Sequence, residues 1–285
     1  MPKVYLNGHF VEANEASISP MDRGFLFGDG IYEVIPTFSG KAVALSDHIE
    51  RLQNGLDAIG INYKANYQEI EAIAKRLIKE VSSESVGIYW HVSRGADVRR
   101  FHAYPDNIEP TVFAYAFEIP ASQALDCKTA KRFRVTLAQD LRWQRCHIKS
   151  TSLLGNVMHF QQGREVGVDE TILYNDNMLI TEASACNVFI VNNGVVKTPP
   201  LDHQLLPGIT RKLVLDALRK HTQLTVEETF FSVDELINAQ EVWITSSSKE
   251  IGAVVEVDGN VIGDGQVGEA WLTAQTAYNH EKFRD

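Results

Sequence analysis

Lys149 and Glu182 are the residues best equipped for chemistry. Lys149 lies in Cys146-His147-Ile148-Lys149-Ser150-Thr151-Ser152, just ahead of a helix-like run. Glu182 lies in Ile180-Thr181-Glu182-Ala183-Ser184-Ala185-Cys186-Asn187, at a strand end before a turn of small residues. An ε-amine is a nucleophile toward a carbonyl carbon. A carboxylate held in a turn can keep a proton on a heterocyclic nitrogen. Together they suit an aldehyde carried on a nitrogen ring. Most lysines are only solvated surface charges. Here Ser150, Thr151 and Ser152 are expected to cap the following helix, placing Lys149 before its positive end.

Weaker signals surround this pair. In Leu206-Pro207-Gly208-Ile209-Thr210-Arg211 a glycine opens a helix whose first N–H groups form an anion site, with the Thr210 hydroxyl beside them. Thr245-Ser246-Ser247-Ser248 is a hydroxyl-rich turn after a strand, and Arg51 lies on an early helix. Combined, these could enclose one phosphate by charge and hydrogen bonds. Arg100 and His102 lie two apart in a basic, aromatic loop, Arg94 to Pro105. In an extended segment they share a face and could grip a carboxylate. Arg99, pointing the other way, competes for that role. Tyr32, in a strand after Gly28-Asp29-Gly30, offers a phenol. The chain lacks an HExxH metal motif, a GxSxG elbow and a Walker A loop.

The framework is a mixture of hairpins and helices. Asn7-Gly8 is a two-residue hairpin turn, and Ile31 to Phe38 reads as a strand. A helix opening at Ser46 places Ile49, Leu52, Leu56 and Ile59 on one face, and a second runs from Tyr67 to Val81. Further hairpins turn at Asn192-Asn193-Gly194 and Asp258-Gly259, with helices over 153–166, 210–221, 233–239 and 268–282. The alternation is α+β, without the regular beat of a dinucleotide-binding fold. A proline and small residues after a strand place the domain boundary at 120–123, between a small N-terminal domain (1–119) and a larger C-terminal one (124–285).

The 285 residues are 44% apolar and carry a net charge of −10, which argues against nucleic acid or an anionic membrane as a partner. No apolar run approaches the ~18 residues of a membrane span. The cysteines, Cys127, Cys146 and Cys186, have no paired or metal-ligand spacing, so a reduced cytoplasmic setting is expected.

Taken in order, several segments resemble the fold-type IV (class IV) pyridoxal-phosphate enzymes, and among them the D-amino-acid aminotransferases. The likeness is carried by Asp22-Arg23-Gly24-Phe25-Leu26-Phe27-Gly28-Asp29-Gly30-Ile31-Tyr32-Glu33-Val34, Arg100-Phe101-His102, Lys149 with Leu153-Leu154-Gly155-Asn156, Glu182 to Phe189, and Gly208-Ile209-Thr210-Arg211. The resemblance implies a two-domain α+β fold with a β-barrel-like C-terminal domain, pyridoxal 5'-phosphate as cofactor, and transamination from a D-amino acid to a 2-oxo acid. It implies Lys149 as covalent anchor and proton shuttle, and Glu182 at the ring nitrogen. Arg51, Gly208, Ile209, Thr210, Ser246 and Ser247 would then bind the phosphate, and Leu206 would pack on the ring. Tyr32, Arg100 and His102 would trap the substrate carboxylate, the last two reaching across a homodimer. A branched-chain L-aminotransferase and an aminodeoxychorismate lyase are alternatives on the same scaffold.

Overall fold

The computed structural model describes residues 2–284. Two compact units emerge. The first gathers the described residues up to Ala121, the segment Ile148–Leu153 and Arg284; the second holds Ser122–His147 and Leu154–Phe283. The chain first crosses between Ala121 and Ser122. The chain then crosses again, because Ile148–Leu153 is claimed by the first unit's sheet.

In the first unit, β1 (Lys3–Leu6) and β2 (His9–Glu12) form the expected hairpin. Its turn residues Asn7 and Gly8 have φ of 46° and 90°, the left-handed pair that a tight hairpin requires. The Arg23–Phe27 stretch forms a short helix, α1. The Asp22 side chain caps it by accepting from the Gly24 N–H, and Gly28 closes it at φ 65°. Next come β3 (Gly30–Phe38), β4 (Lys41–Ala42), α2 (Leu45–Ala58), α3 (Tyr67–Leu77), β5 (Ser85–Ser93) and β6 (Thr111–Glu118). α2 opens one residue before Ser46. α3 stops at Leu77, short of Val81, and tightens into a 3₁₀ turn over Ile78–Glu80. The sheet runs β2-β1-β6-β5-β3-β4. Leu52, Leu56, Ile70 and Leu77 from the two helices join Ile35, Ile88 and Trp90 of the sheet in one core. Each such side chain contributes about 1.5–3 kcal/mol on burial, far more than any single capping bond.

The second unit is built on a nine-stranded sheet. In chain order its elements are β7 (Arg132–Gln139), α4 (Leu154–Glu165), β8 (Glu170–Tyr174), β9 (Ile180–Ala183), β10 (Asn187–Asn192) and β11 (Val195–Thr198), followed by α5 (Ile209–His221), β12 (Thr225–Glu228) and α6 (Val233–Ile237), and then β13 (Glu241–Ser246), β14 (Glu250–Val257), β15 (Asn260–Val261) and α7 (Glu269–Glu281). The sheet runs β12-β11-β10-β13-β14-β7-β8-β9, with β15 beside β14. Phe133, Ile172, Ala183, Val188 and Ile244 come from well-separated strands yet share one apolar cluster. The sheet therefore curls over its own core, in keeping with the barrel-like expectation. α5 packs on α7, burying Leu213, Ala217 and Leu218 on one and Trp271, Ala274 and Tyr278 on the other. α4 is different: only His159 and Gly163 are buried, while Leu154, Val157 and Met158 face outward. Among the described residues no helix is long and apolar enough to cross a membrane.

Candidate active site

The lysine is positioned by strand pairing, not by a helix end. The Tyr32 N–H donates to the Lys149 carbonyl at 3.1 Å, Ser150 bridges Ile31, and the Thr151 N–H donates to the Gly30 carbonyl at 2.9 Å. Ile148 sits in the first core. The expected capping role of Ser150-Thr151-Ser152 is overturned. The hydroxyls of Thr151 and Ser152 donate instead to the carbonyls of Phe27, Gly28 and Gly30, and α4 starts only at Leu154. These carbonyls compete successfully for the hydroxyls that a helix N-terminus would otherwise use. The Lys149 Nζ is left 4.2 Å above the centre of the Tyr32 ring, a cation–π distance.

Behind Tyr32, β3 turns Glu33 into the core, where it is 1% exposed. Arg51 of α2 meets it as a fork: Nε donates to Oε1 and Nη2 to Oε2, both at 2.7 Å. His48, one turn earlier on α2, places Nδ1 2.7 Å from Oε2. Burial alone would raise the Glu33 carboxyl, but Arg51 and His48 together hold it well below the usual carboxylate range. Burial holds the His48 imidazole low, against the pull of Glu33, with Arg51 and Lys149 pushing the same way as burial. Arg51 is thus fixed in direction by a partner that sequence inspection passed over. The signal was a charged residue inside an apolar strand, between Tyr32 and Val34.

Glu33→Gln should destabilise the cofactor-free protein by about 3 kcal/mol near neutral pH, since it leaves a buried guanidinium without its counter-charge. The folded carboxyl lies below its unfolded value, so its contribution is complete above the unfolded pKa of about 4.5 and is lost as pH falls. The gap between wild type and variant should therefore narrow between roughly pH 5 and pH 3 in urea titrations. A gap independent of pH would mean that the Glu33 charge contributes nothing.

Tyr32 stacks on Tyr89 with ring centres 5.7 Å apart. Arg100 and His102 lie in an irregular loop, not in the extended segment expected, and each lies against the Phe27 ring. The Arg100 guanidinium lies 4.9 Å from the centre of the Phe27 ring, and the His102 ring centre is 5.4 Å from it. Arg99 instead lies over Phe101 at 4.8 Å. Arg100 and His102 thus share Phe27 as a neighbour, and Arg99 does not. In this unit Lys149 lies against Tyr32, and Arg100 and His102 each lie against Phe27.

In the second unit, β9 carries Glu182 inward to 5% exposure. Arg142 donates from Nη1 to Oε1 at 2.6 Å; the Leu206 N–H (3.1 Å) and Asn187 Nδ2 (3.3 Å) donate to Oε2. Arg142 is itself held by Asp140, through Nε to Oδ1 at 2.9 Å and Nη2 to Oδ2 at 2.7 Å. Burial pushes the Glu182 carboxyl up to about 7, with Arg142 pulling the other way. Leu206 thus meets Glu182 through its backbone. Arg142, Asp140 and Asn187 were not foreseen. Their loop and strand-end positions have no periodicity to betray them.

The N-terminus of α5 fits an anion. Its cap residue Gly208 supplies no side-chain bond to the first turn. A Cβ at Gly208 would overlap Asn187 Oδ1, so only glycine permits this approach. The Thr210 hydroxyl bonds the Tyr278 phenol, which leaves the helix N–H groups of Ile209 and Thr210 as the natural anion donors. Ser246 ends β13, and its Oγ accepts from the Lys249 N–H at 3.2 Å, closing the turn that carries Ser247. Lys249 anchors this turn through its Nζ, 3.6 Å from the fully buried Glu170, which also accepts from the Ser184 hydroxyl.

Residues 30–257 match the amino-transferase class IV family. The chain is 38% identical over 275 residues to a D-alanine aminotransferase of Bacillus licheniformis, covering 96% of this chain and 95% of the relative. It is similar in fold to the branched-chain amino acid aminotransferase of Escherichia coli, with a TM-score of 0.88 at 23% identity over 99% of this chain and 94% of that one. A second branched-chain amino acid aminotransferase, that of T.th., solved in complex with N-(5'-phosphopyridoxyl)-L-glutamate, gives a TM-score of 0.86 at 22% identity, covering 99% of this chain and 95% of that one.

Proposed function

Because the chain belongs to the amino-transferase class IV family, we propose that it moves the amino group of a D-amino acid such as D-alanine to a 2-oxo acid, pyruvate or 2-oxoglutarate, with pyridoxal 5'-phosphate as cofactor. An amino acid and a 2-oxo acid are the substrates that the family implies. The residues on each unit suit the cofactor. Lys149 supplies an amine beside an aromatic ring, and Glu182 a buried acceptor whose proton affinity is raised to about 7. The uncapped start of α5 and the serine turn supply anion donors, and Arg51 a fixed cation. When bound, the cofactor supplies an aldehyde that condenses with amines and a ring that takes up an electron pair.

These positions support the following division of roles among the chain's own residues. Lys149 holds the cofactor, then takes the α-proton of the substrate as general base and returns it on the other side of the exchange. Glu182 keeps the ring nitrogen protonated by its charge, with Arg142 fixing the carboxylate's direction. Arg51, the N–H groups of Ile209 and Thr210, and Ser246 and Ser247 hold the phosphate. Leu206 packs on the ring. Tyr32, Arg100 and His102 bind the substrate carboxylate and so decide which enantiomer offers its hydrogen to Lys149.

One observation supports the D-specific reading: a guanidinium, Arg100, and an imidazole, His102, lie 4.9 and 5.4 Å from the centre of the same Phe27 ring. A homodimer is part of the same reading, with Arg100 and His102 serving the partner's site. The outward face of α4 and the loop before it, with Leu141 at 74% and Leu154 at 73% exposure beside Trp143, Val157 and Met158, is the kind of apolar surface a second copy covers. The three unpaired thiols suit a reducing, cytoplasmic setting.

The test is a donor comparison in the presence of pyridoxal 5'-phosphate. D-alanine with 2-oxoglutarate should release pyruvate far faster than L-leucine is consumed, and aminodeoxychorismate should yield no pyruvate. Preference for L-leucine, or pyruvate from aminodeoxychorismate, would replace the D-specific activity with one of those two.

A further inference from the structure

Resting on the D-aminotransferase reading, we propose that Phe27, carried on α1 and braced by Arg23, is the platform that sets the spacing of Arg100 and His102. It is a positioning residue for the substrate carboxylate. The base beneath it is rigid. Asp22 caps α1 through the Gly24 N–H at 2.8 Å and also accepts from the Ser93 hydroxyl at 2.7 Å and the Thr111 hydroxyl at 2.6 Å. The short helix is thereby tied to the end of β5 and the start of β6. Gly28 then closes it in the left-handed region.

Arg23, 3% exposed, fixes the loop's backbone from the same helix. Its Nη1 donates to the Phe101 carbonyl at 2.6 Å and the Ala103 carbonyl at 3.3 Å, and its Nη2 to the His102 carbonyl at 3.3 Å. Its Nε donates to Asp29 Oδ2 at 2.8 Å, and Arg94 grips both Asp29 oxygens at 2.8 and 3.0 Å. The guanidinium carbon of Arg23 also lies 4.8 Å from the Phe27 ring centre. Arg23 therefore holds the main chain on either side of His102, and Phe27 holds the two side chains. A flexible loop would have to order both side chains when substrate arrives, at a cost to affinity; the platform orders them beforehand. It also explains why Arg99, over Phe101, is turned elsewhere.

The test compares Phe27→Ala, Phe27→Leu and Phe27→Tyr holoenzymes on D-alanine, with propionate as a competing carboxylate. Phe27→Ala should raise the KM for D-alanine and the inhibition constant of propionate together, by about tenfold, and much more than it lowers kcat. Phe27→Leu keeps apolar volume but has no ring face, and should raise both by about threefold. Phe27→Tyr keeps the face and should restore both to near wild type. A wild-type enzyme inert toward D-alanine overturns the functional reading, and the platform with it. Wild-type activity on D-alanine with an unchanged KM in both Phe27→Ala and Phe27→Leu overturns the platform alone. So does a fall in kcat as large as the rise in KM, equal in Leu and Tyr variants, which would mark a general folding defect.

Discussion

Lys149→Ala should abolish turnover of D-alanine, by at least about 10⁴-fold, and should leave the protein folded. The loss is large because one side chain serves as both anchor and proton carrier, and proton transfer by a positioned group alone is worth roughly 10²–10⁴-fold. The fold survives because the segment is held by its main chain: the Lys149 carbonyl accepts from the Tyr32 N–H whatever the side chain is. The substitution removes the contact between Nζ and the Tyr32 ring, a loss of about 0.5–1 kcal/mol, and the Lys149 charge that acts on His48. Steady-state assays with pyruvate detection, paired with thermal melts, check both halves. Wild-type rates in Lys149→Ala would end the proposed mechanism.

Glu182→Gln is expected to trade activity for stability. The amide cannot hold a ring proton by charge, and an opposite charge is worth roughly one to three pKa units to the nitrogen it faces, so kcat should fall by about 10–10³-fold. Stability moves the other way with pH. The folded carboxyl keeps its proton up to about pH 7, while in the unfolded chain the proton leaves near 4.5. Wild type therefore becomes progressively less stable across that window, by on the order of 3 kcal/mol once pH exceeds the folded value. The glutamine variant has no such cost. Urea unfolding of the cofactor-free proteins should show the variant gaining on wild type between roughly pH 5 and pH 8. A constant difference across that range would mean that burial does not raise Glu182. The trade is the one expected where an active site keeps a group that the fold would prefer without.

Legibility in the sequence follows the locality of the cause. Asn7-Gly8 announced its hairpin because the turn needs left-handed backbone at both positions, a purely local demand. Leu52 and Leu56 announced α2 through period. The short α1 was hidden: it has five residues, includes Gly24 and carries no apolar repeat. β7 was missed although Arg132-Phe133-Arg134-Val135 alternates as a strand does; its place parallel to both neighbours has no local signature. At the site, Lys149 and Glu182 stood out by chemical type. The hydroxyls after Lys149 misled, since their acceptors are carbonyls more than a hundred residues away in sequence. Arg142 could not be read at all, because what singles it out is a carboxylate on β9, forty residues on.

The return of Ile148–Leu153 to the first unit has a bearing on how this protein can be cut. A fragment ending at Ala121 would keep all strands of the six-stranded sheet. It would nevertheless strip the cover from the Gly30–Tyr32 stretch of β3, whose neighbour on that side is the lysine segment and not β4, which pairs only with Thr37 and Phe38. The bared N–H and carbonyl row is a template for strands of other molecules. The piece of chain that bears the nucleophile is therefore also a shield against self-association, and truncation at the apparent boundary should yield aggregates in place of a soluble module.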